Sequence, residues 1–116
     1  MKSASLLTIK TKSDFQKKVQ LSSKSTVVLF QTSWSGDAFM VNMMLEQIIQ
    51  DYKNQVQFCI IDVEKFPSLK EQYAITVIPT TLFFKQGELV GQVIKMLPSI
   101  VFKNRFSSYL GLAQVA

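Results

Sequence analysis

The chain has 116 residues, of which 47% are hydrophobic and 18% are charged. This length predicts one globular domain over residues 1–116, with a core large enough to need no disulfide or metal. No apolar run approaches the roughly 18 residues that a membrane-spanning helix needs, so we expect no contact with a membrane.

The sequence contains one cysteine, Cys59, and no histidine. An internal disulfide is therefore excluded, and the usual zinc ligands and the Ser-His pair of many hydrolases are missing. We expect neither a metal nor a cofactor. The oligomeric state is left open by the sequence.

The net charge of +5 arises in the first 26 residues, which hold six lysines against Asp14. Nucleic-acid sites usually combine basic residues with aromatic or arginine side chains, and here only Phe15 lies among the lysines. We interpret the segment as a solvated lysine face and expect no nucleic-acid partner. The N-terminus lacks the sustained apolar stretch of a secretory signal, so a cytoplasmic location is expected.

The first elements along the chain are a short strand at residues 6–9 and a helix that runs from Ser13 to about Leu21. Ser13 at the helix start, with Gln16 three residues later, suits a capping box. Residues 26–31 are almost continuously apolar, which is typical of a parallel strand covered on both faces. We predict that this strand lies at the centre of the sheet.

A second helix is predicted over residues 37–52, where apolar residues recur at spacings of three and four. A strand at residues 56–62 follows. It is predicted to lie parallel to the central strand because a helix connects the two. Pro67 then begins a short third helix.

Two more strands are predicted at residues 80–84 and 89–94. The loop at 85–88 contains glycine and has the length of a hairpin turn, so these strands should be antiparallel. Ser99 can cap a last helix, which leaves a tail at 111–116. The order of elements predicts an α/β fold, with a mixed sheet of about five strands flanked by about four helices.

Residues 27–38 predict a buried strand that runs into a helix, and Val77-Ile78-Pro79-Thr80 follows about forty residues later. These two segments resemble the thioredoxin family. In that family the strand leads into Trp-Cys-Gly-Pro-Cys, and a later Ile-Pro-Thr with a cis peptide bond closes the redox site. This chain has Trp34-Ser35-Gly36-Asp37-Ala38 instead. The likeness extends from about Leu6 to Leu110 and implies the thioredoxin fold.

The redox chemistry that the resemblance implies has no residues to perform it. A disulfide reductase needs an acidified thiolate that attacks and a second thiol that resolves the mixed disulfide, and Ser35 and Ala38 can do neither. The family's buried aspartate and the lysine facing it correspond to Leu29 and Ile60 here. No catalytic residue is therefore predicted.

The resemblance implies a groove that binds extended peptide beside the proline. We predict a redox-inactive module that binds a protein or an extended peptide through Trp34, through Val77, Ile78 and Pro79, and through Lys95. Lys95 stands where the family has a glycine that substrate backbone approaches. Pro79 can equally serve only the turn into the next strand.

The other site residues have plain structural interpretations. Ser35 is a good helix N-cap, and Asp37 in the first turn interacts favourably with the helix dipole. Cys59 is interpreted as a small buried core residue. Met40 and Met43, together with Phe39, lie off the main apolar stripe of the second helix, and they form either extra core or an exposed patch.

Two rival functions remain open. The first is a thioredoxin-type thiol-disulfide oxidoreductase, of the kind that maintains cell redox balance, whose two cysteines had been replaced by mutagenesis or which works through Cys59 alone. The second is a structural or chaperone-type partner that uses the basic N-terminal third or the methionine-rich face of the second helix.

Overall fold

A computed structural model describes residues 6–112 and contains one sheet of five strands. The strands are β1 (Leu7–Thr8), β2 (Ser25–Gln31), β3 (Val56–Asp62), β4 (Thr80–Lys85) and β5 (Glu88–Ile94). Their order in the sheet is β1-β3-β2-β4-β5. The first three are parallel, whereas β4 is antiparallel to β2 and β5 is antiparallel to β4. The predicted mixed sheet is confirmed.

Four helices flank this sheet in the described part of the chain: α1 (Lys12–Phe15), α2 (Gly36–Tyr52), α3 (Pro67–Gln72) and α4 (Ser99–Leu110). A π-helical segment, Gln16–Gln20, continues α1, and a 3-10 turn, Val63–Lys65, joins β3 to α3. The predicted α/β fold class is therefore confirmed. The ends of the predicted domain, at residues 1–5 and 113–116, lie outside the described residues, as does most of the predicted tail.

The first and last helices, α1 and α4, do not begin with the serine caps that the sequence predicts. At α1 the capping side chain is that of Thr11, whose Oγ1 accepts a hydrogen bond from the backbone N of Asp14 at 3.0 Å. Ser13 already lies inside that helix because Thr11 holds the extended backbone of an N-cap. At α4, Ser99 is the first helical residue and the cap position is Pro98, which makes no side-chain cap bond. The ring of Pro98 holds its φ at −53°, a value compatible with entry into a helix.

The sheet separates two apolar clusters. The cluster on one face joins Leu29 of β2 to residues of α2 and α4, among them Val41 and Phe106. The cluster on the other face joins Val28 to residues of α1 and α3. Because consecutive strand residues point to opposite faces, β2 is buried on both sides, as its continuous apolar run predicts.

A two-residue turn connects β4 to β5. Gln86 and Gly87 both have positive φ, 51° and 82°, as the favoured hairpin turns require. A Cβ added to Gly87 would lie 2.2 Å from the backbone oxygen of Gln20, so only glycine fits there. The predicted hairpin is thus present, with Lys85 and Glu88 paired as the last strand residues. None of the helices within residues 6–112 has the length and apolarity needed to cross a bilayer.

Candidate functional site

The three segments that carry the resemblance meet at one end of the sheet, where β2 and β5 end and β4 begins. β2 ends one residue after Phe30, which pairs with Thr80 at the start of β4. Thr80 in turn pairs with Ile94 at the end of β5. The loop that follows β2, the residues that precede β4 and the residue that follows β5 therefore lie side by side at this end. We call this region, residues 34–38, 77–79 and 95, the former active-site surface.

The residue at the first cysteine position, Ser35, is the N-cap of α2. Its backbone is extended, with φ −89° and ψ 115°, and its Oγ accepts a hydrogen bond from the backbone N of Ala38 at 3.1 Å. The backbone N of Ser35 donates to Thr32 O at 3.3 Å. The serine thus satisfies an orphan donor of the first turn, which is what its sequence position predicts.

The residue at the second cysteine position, Ala38, is fully buried. Between the two positions, Gly36 and Asp37 are exposed, and Asp37 lies in the first turn of α2. Its carboxylate interacts favourably with the positive end of the helix dipole, by about 0.3 to 1 kcal/mol. The start of α2 therefore offers a capping hydroxyl and a carboxylate but no sulfur.

Trp34 projects from the loop before α2, and 72% of its surface is exposed. Its indole Nε1 donates a hydrogen bond to Oε1 of Glu64 at 3.2 Å. Glu64 was not foreseen from the sequence, since the two residues are thirty positions apart. The register that pairs Gln31 with Asp62 places both loops just beyond neighbouring strand ends.

Exposed apolar side chains form a patch on the first turns of α2, the helix that follows Trp34. The side chains of Phe39, Met40 and Met43 are 62%, 51% and 44% exposed. Of the two interpretations left open by the sequence, the exposed patch is the one found. Large exposed apolar groups that lie together on a surface are characteristic of protein-binding sites.

The segment before β4 holds Val77, Ile78 and Pro79. Val77 and Ile78 are half-buried and Pro79 is buried, and the Ile78-Pro79 peptide bond is cis. Thr80 Oγ1 donates to Val77 O at 2.6 Å. This bond fixes the carbonyl that precedes the proline turn.

Lys95 forms a backbone hydrogen bond with Pro79. Its backbone N donates to Pro79 O at 2.8 Å, and its side chain is exposed. Its φ of 65° lies in the left-handed region, which favours glycine. A lysine thus occupies a backbone position suited to glycine, and its exposed side chain adds a positive charge to the former active-site surface.

The layer beneath this surface is apolar. Leu29 and Ile60 pair across β2 and β3, and Leu29 is fully buried against Val41 and Leu45. On its other side Leu29 pairs with Thr81 of β4, whose fully buried Oγ1 has no hydrogen-bond partner within residues 6–112. Hydrocarbon side chains thus occupy the two positions at which the resemblance implies a buried carboxylate and an ammonium group.

Cys59 is fully buried in the cluster on the opposite face of the sheet, among residues of α1 and α3. Burial raises the pKa of its thiol from 9.0 to about 12, and the positive charge of Lys18 offsets only part of this effect. The thiol is therefore protonated at neutral pH and shielded from reagents. No group of three or more potential metal ligands occurs in the described part of the chain.

Comparison with known proteins gives a consistent result. The sequence model described as Thioredoxin matches residues 6–105. The chain is 31% identical over 101 residues to a thioredoxin of Chlorobaculum thiosulfatiphilum, covering 87% of this chain and 94% of that protein. It is 32% identical over 100 residues to thioredoxin 1 of Synechococcus elongatus, covering 86% and 94%. The crystal structure of oxidized mitochondrial thioredoxin 3 from Saccharomyces cerevisiae superposes with a TM-score of 0.74 at 25% identity, covering 85% of this chain and 92% of that one.

Proposed function

The chain belongs to the thioredoxin family, and we propose that it is a redox-inactive member that binds a protein or an extended peptide at the former active-site surface. The observation that carries the proposal is the start of α2. Ser35 caps the helix and Ala38 is buried. Because neither side chain carries sulfur, the two cysteine positions cannot form a thiolate or a disulfide.

The remaining thiol does not replace the missing pair. Cys59 lies on the other face of the sheet, and its pKa of about 12 leaves almost no thiolate at neutral pH. A single-cysteine mechanism would need an exposed and acidified sulfur. These properties argue against redox chemistry through Cys59.

Binding is supported by the exposed apolar groups that surround the two lost positions. Trp34 is largely exposed, and Phe39, Met40 and Met43 continue the apolar surface along α2. Aromatic anchors often dominate binding energy, and methionine adapts to partners of different shape. A partner that covers this patch removes apolar area from water.

The chemistry beside Pro79 favours an extended segment as the partner. Val77 and Ile78 are half-buried, so part of each remains accessible at the edge of the sheet. Main-chain pairing with an added strand is a common way to bind extended peptides. Lys95 supplies a positive charge next to this segment and tunes the choice of partner.

The first experiment tests the absence of redox activity. The protein is assayed for insulin reduction with dithiothreitol and, separately, with thioredoxin reductase and NADPH, beside a thioredoxin that has both cysteines. We expect no turnover above the uncatalysed background, because no dithiol can form. Catalysis by the purified protein would refute the redox-inactive assignment.

The second experiment tests binding. Immobilised wild-type protein is used to select binders from a library of random peptides, and the selected peptides are titrated against Trp34→Ala and Leu21→Ala. Leu21 is a matched control because it is 71% exposed and precedes β2, at the opposite edge of the sheet. We expect Trp34→Ala to weaken binding by about 2 kcal/mol, which is roughly thirtyfold, with little effect of Leu21→Ala. Equal affinities for both variants would place binding elsewhere.

The rival oxidoreductase is favoured by one finding, that the relatives are named thioredoxins. If Ser35 and Ala38 had been introduced by mutagenesis, the natural gene would encode cysteine at both codons. Reading codons 35 and 38 in the source genome decides between the two functions. Leu29 and Ile60 argue against the rival, since replacing two cysteines does not change either residue.

A further inference from the structure

A cavity of about 310 Å³ lies at the same end of the sheet but outside the former active-site surface. Small-molecule sites in proteins have volumes from about 300 Å³ upward, so this space is sufficient for a small metabolite. Seven residues line it: Thr8, Ile9, Lys10, Gln31, Ile60, Asp62 and Lys65.

The cavity lies at the carboxyl ends of the three parallel strands. Thr8, Asp62 and Gln31 are the last residues of β1, β3 and β2, and these strands are neighbours in the order β1-β3-β2. Ligands of open α/β sheets bind in crevices outside the carboxyl ends of the strands. The position of the cavity in the fold is therefore that of a ligand site.

The polar groups around the cavity favour an anion. Lys10 and Lys65 both line it, and neither ammonium group has a carboxylate partner among the described residues. The hydroxyl of Thr8 and the side-chain amide of Gln31 add hydrogen-bond donors. The two ammonium groups outnumber the one carboxylate of the lining, that of Asp62, and cations beside neutral donors bind carboxylate or phosphate groups.

The remaining lining residues indicate the chemistry of the uncharged part of the ligand. Asp62 uses Oδ1 to accept a hydrogen bond from the backbone N of Glu64 at 3.0 Å, and its second oxygen is free to accept from a ligand hydroxyl. Ile60, which is half-buried, adds apolar surface to the lining, whereas the side chain of Ile9 is buried in the cluster on the other face of the sheet. The ligand that fits this lining carries one or more anionic groups on a short hydroxylated body.

We propose that this cavity binds a small hydroxylated organic anion through Lys10 and Lys65. The site is distinct from the proposed peptide site, because none of its seven lining residues belongs to the former active-site surface. It can be observed through Trp34, the one tryptophan of the chain. The indole of Trp34 is bonded to Glu64, which lies directly before Lys65 in the same turn.

The test uses citrate as the carboxylate probe, glycerol 3-phosphate as the phosphate probe and glycerol as the uncharged control. Each is titrated into the full chain at constant ionic strength, with amide shifts in ¹H-¹⁵N spectra and Trp34 fluorescence as readouts. We expect at least one anion to bind with a dissociation constant on the order of 1 mM, and glycerol to give no saturable response. The shifted amides should cluster at Thr8, Asp62 and Lys65.

A pair of double variants decides whether the two lysines hold the anion. Lys10→Gln with Lys65→Gln should weaken binding about tenfold or more. Lys12→Gln with Lys24→Gln removes the same charge from exposed lysines outside the lining and should change binding by no more than about twofold. Failure of both anions to bind, an equal loss in both double variants, or shifts confined to other residues would overturn the proposal.

Discussion

Replacing Thr81 with valine is expected to stabilise the protein. Thr81 lies in β4 between Leu29 and Val93, it is fully buried, and its Oγ1 has no hydrogen-bond partner within residues 6–112. A buried hydroxyl without a partner costs about 1 to 3 kcal/mol. Valine replaces the hydroxyl with a methyl group of similar shape and adds apolar burial, so the cost of the buried hydroxyl is removed.

The expected gain in the free energy of unfolding is about 1 to 2 kcal/mol, because slight crowding by the methyl group offsets part of the benefit. For a domain of this size a urea dependence of about 1 to 2 kcal/mol per molar is typical, which converts the gain to a midpoint shift of roughly 1 M. Equilibrium urea unfolding, followed by the fluorescence of Trp34, measures this shift.

Thr26→Val is the matched control. Thr26 lies in the adjacent strand β2 and is also fully buried, but its Oγ1 donates to Lys24 O at 3.2 Å and accepts from Gln57 Nε2 at 3.5 Å. Removing that hydroxyl breaks both bonds and should destabilise the fold by about 1 kcal/mol. If Thr81→Val destabilises the protein as much as Thr26→Val does, the Thr81 hydroxyl has a partner in solution and the argument fails.

Three further predictions concern the site and its surroundings. Cys59 should react with a thiol reagent slowly in the native state and rapidly in denaturant, and fast native labelling would contradict its burial. Because the pKa of this thiol is higher in the folded protein (about 12) than in the unfolded chain (9.0), the free energy of unfolding should fall as the pH rises above 9. Lys95→Gly should raise the unfolding free energy by up to about 1 kcal/mol, since glycine adopts a φ of 65° without strain; a loss of stability in thermal unfolding would contradict this. Ser35→Cys with Ala38→Cys should restore only weak insulin reduction, because Leu29 supplies no proton acceptor beside the resolving thiol; activity equal to that of a thioredoxin would show that the acceptor is dispensable.

Much of the fold can be predicted from apolar spacing alone. The continuous run in β2 and the three-and-four spacing in α2 both reflect burial against the sheet, and burial is what selects the residue types at those positions. The helix caps are harder to predict, because any of several neighbouring hydroxyl residues can serve. Thr11 rather than Ser13 caps α1 for this reason.

The contacts of the site depend on how distant segments align, which the sequence pattern does not encode. The hydrogen bond from Trp34 to Glu64 requires the register between β2 and β3. The burial of the Thr81 hydroxyl, which has no partner among the residues that the structure describes, requires the register between β2 and β4. Of the two lysines of the cavity, one follows β1 and the other lies in the turn after β3, and these two strands pair in the sheet. Only the three-dimensional arrangement brings Lys10 and Lys65 together.

The apolar residues beneath the former active-site surface stabilise the fold, and they also fit the proposed lack of redox activity. A carboxylate buried at position 29 would have to be desolvated, at a cost of several kcal/mol unless it were well paired. Leu29 and Ile60 avoid this cost and join the core that α2 covers. With Leu29 and Ile60 at these positions, the dithiol of the Ser35→Cys, Ala38→Cys variant has no buried carboxylate to accept its proton. This end of the sheet keeps an exposed Trp34 and the backbone hydrogen bond from Lys95 to Pro79, so the peptide titrations with Trp34→Ala are the direct test of the proposed binding.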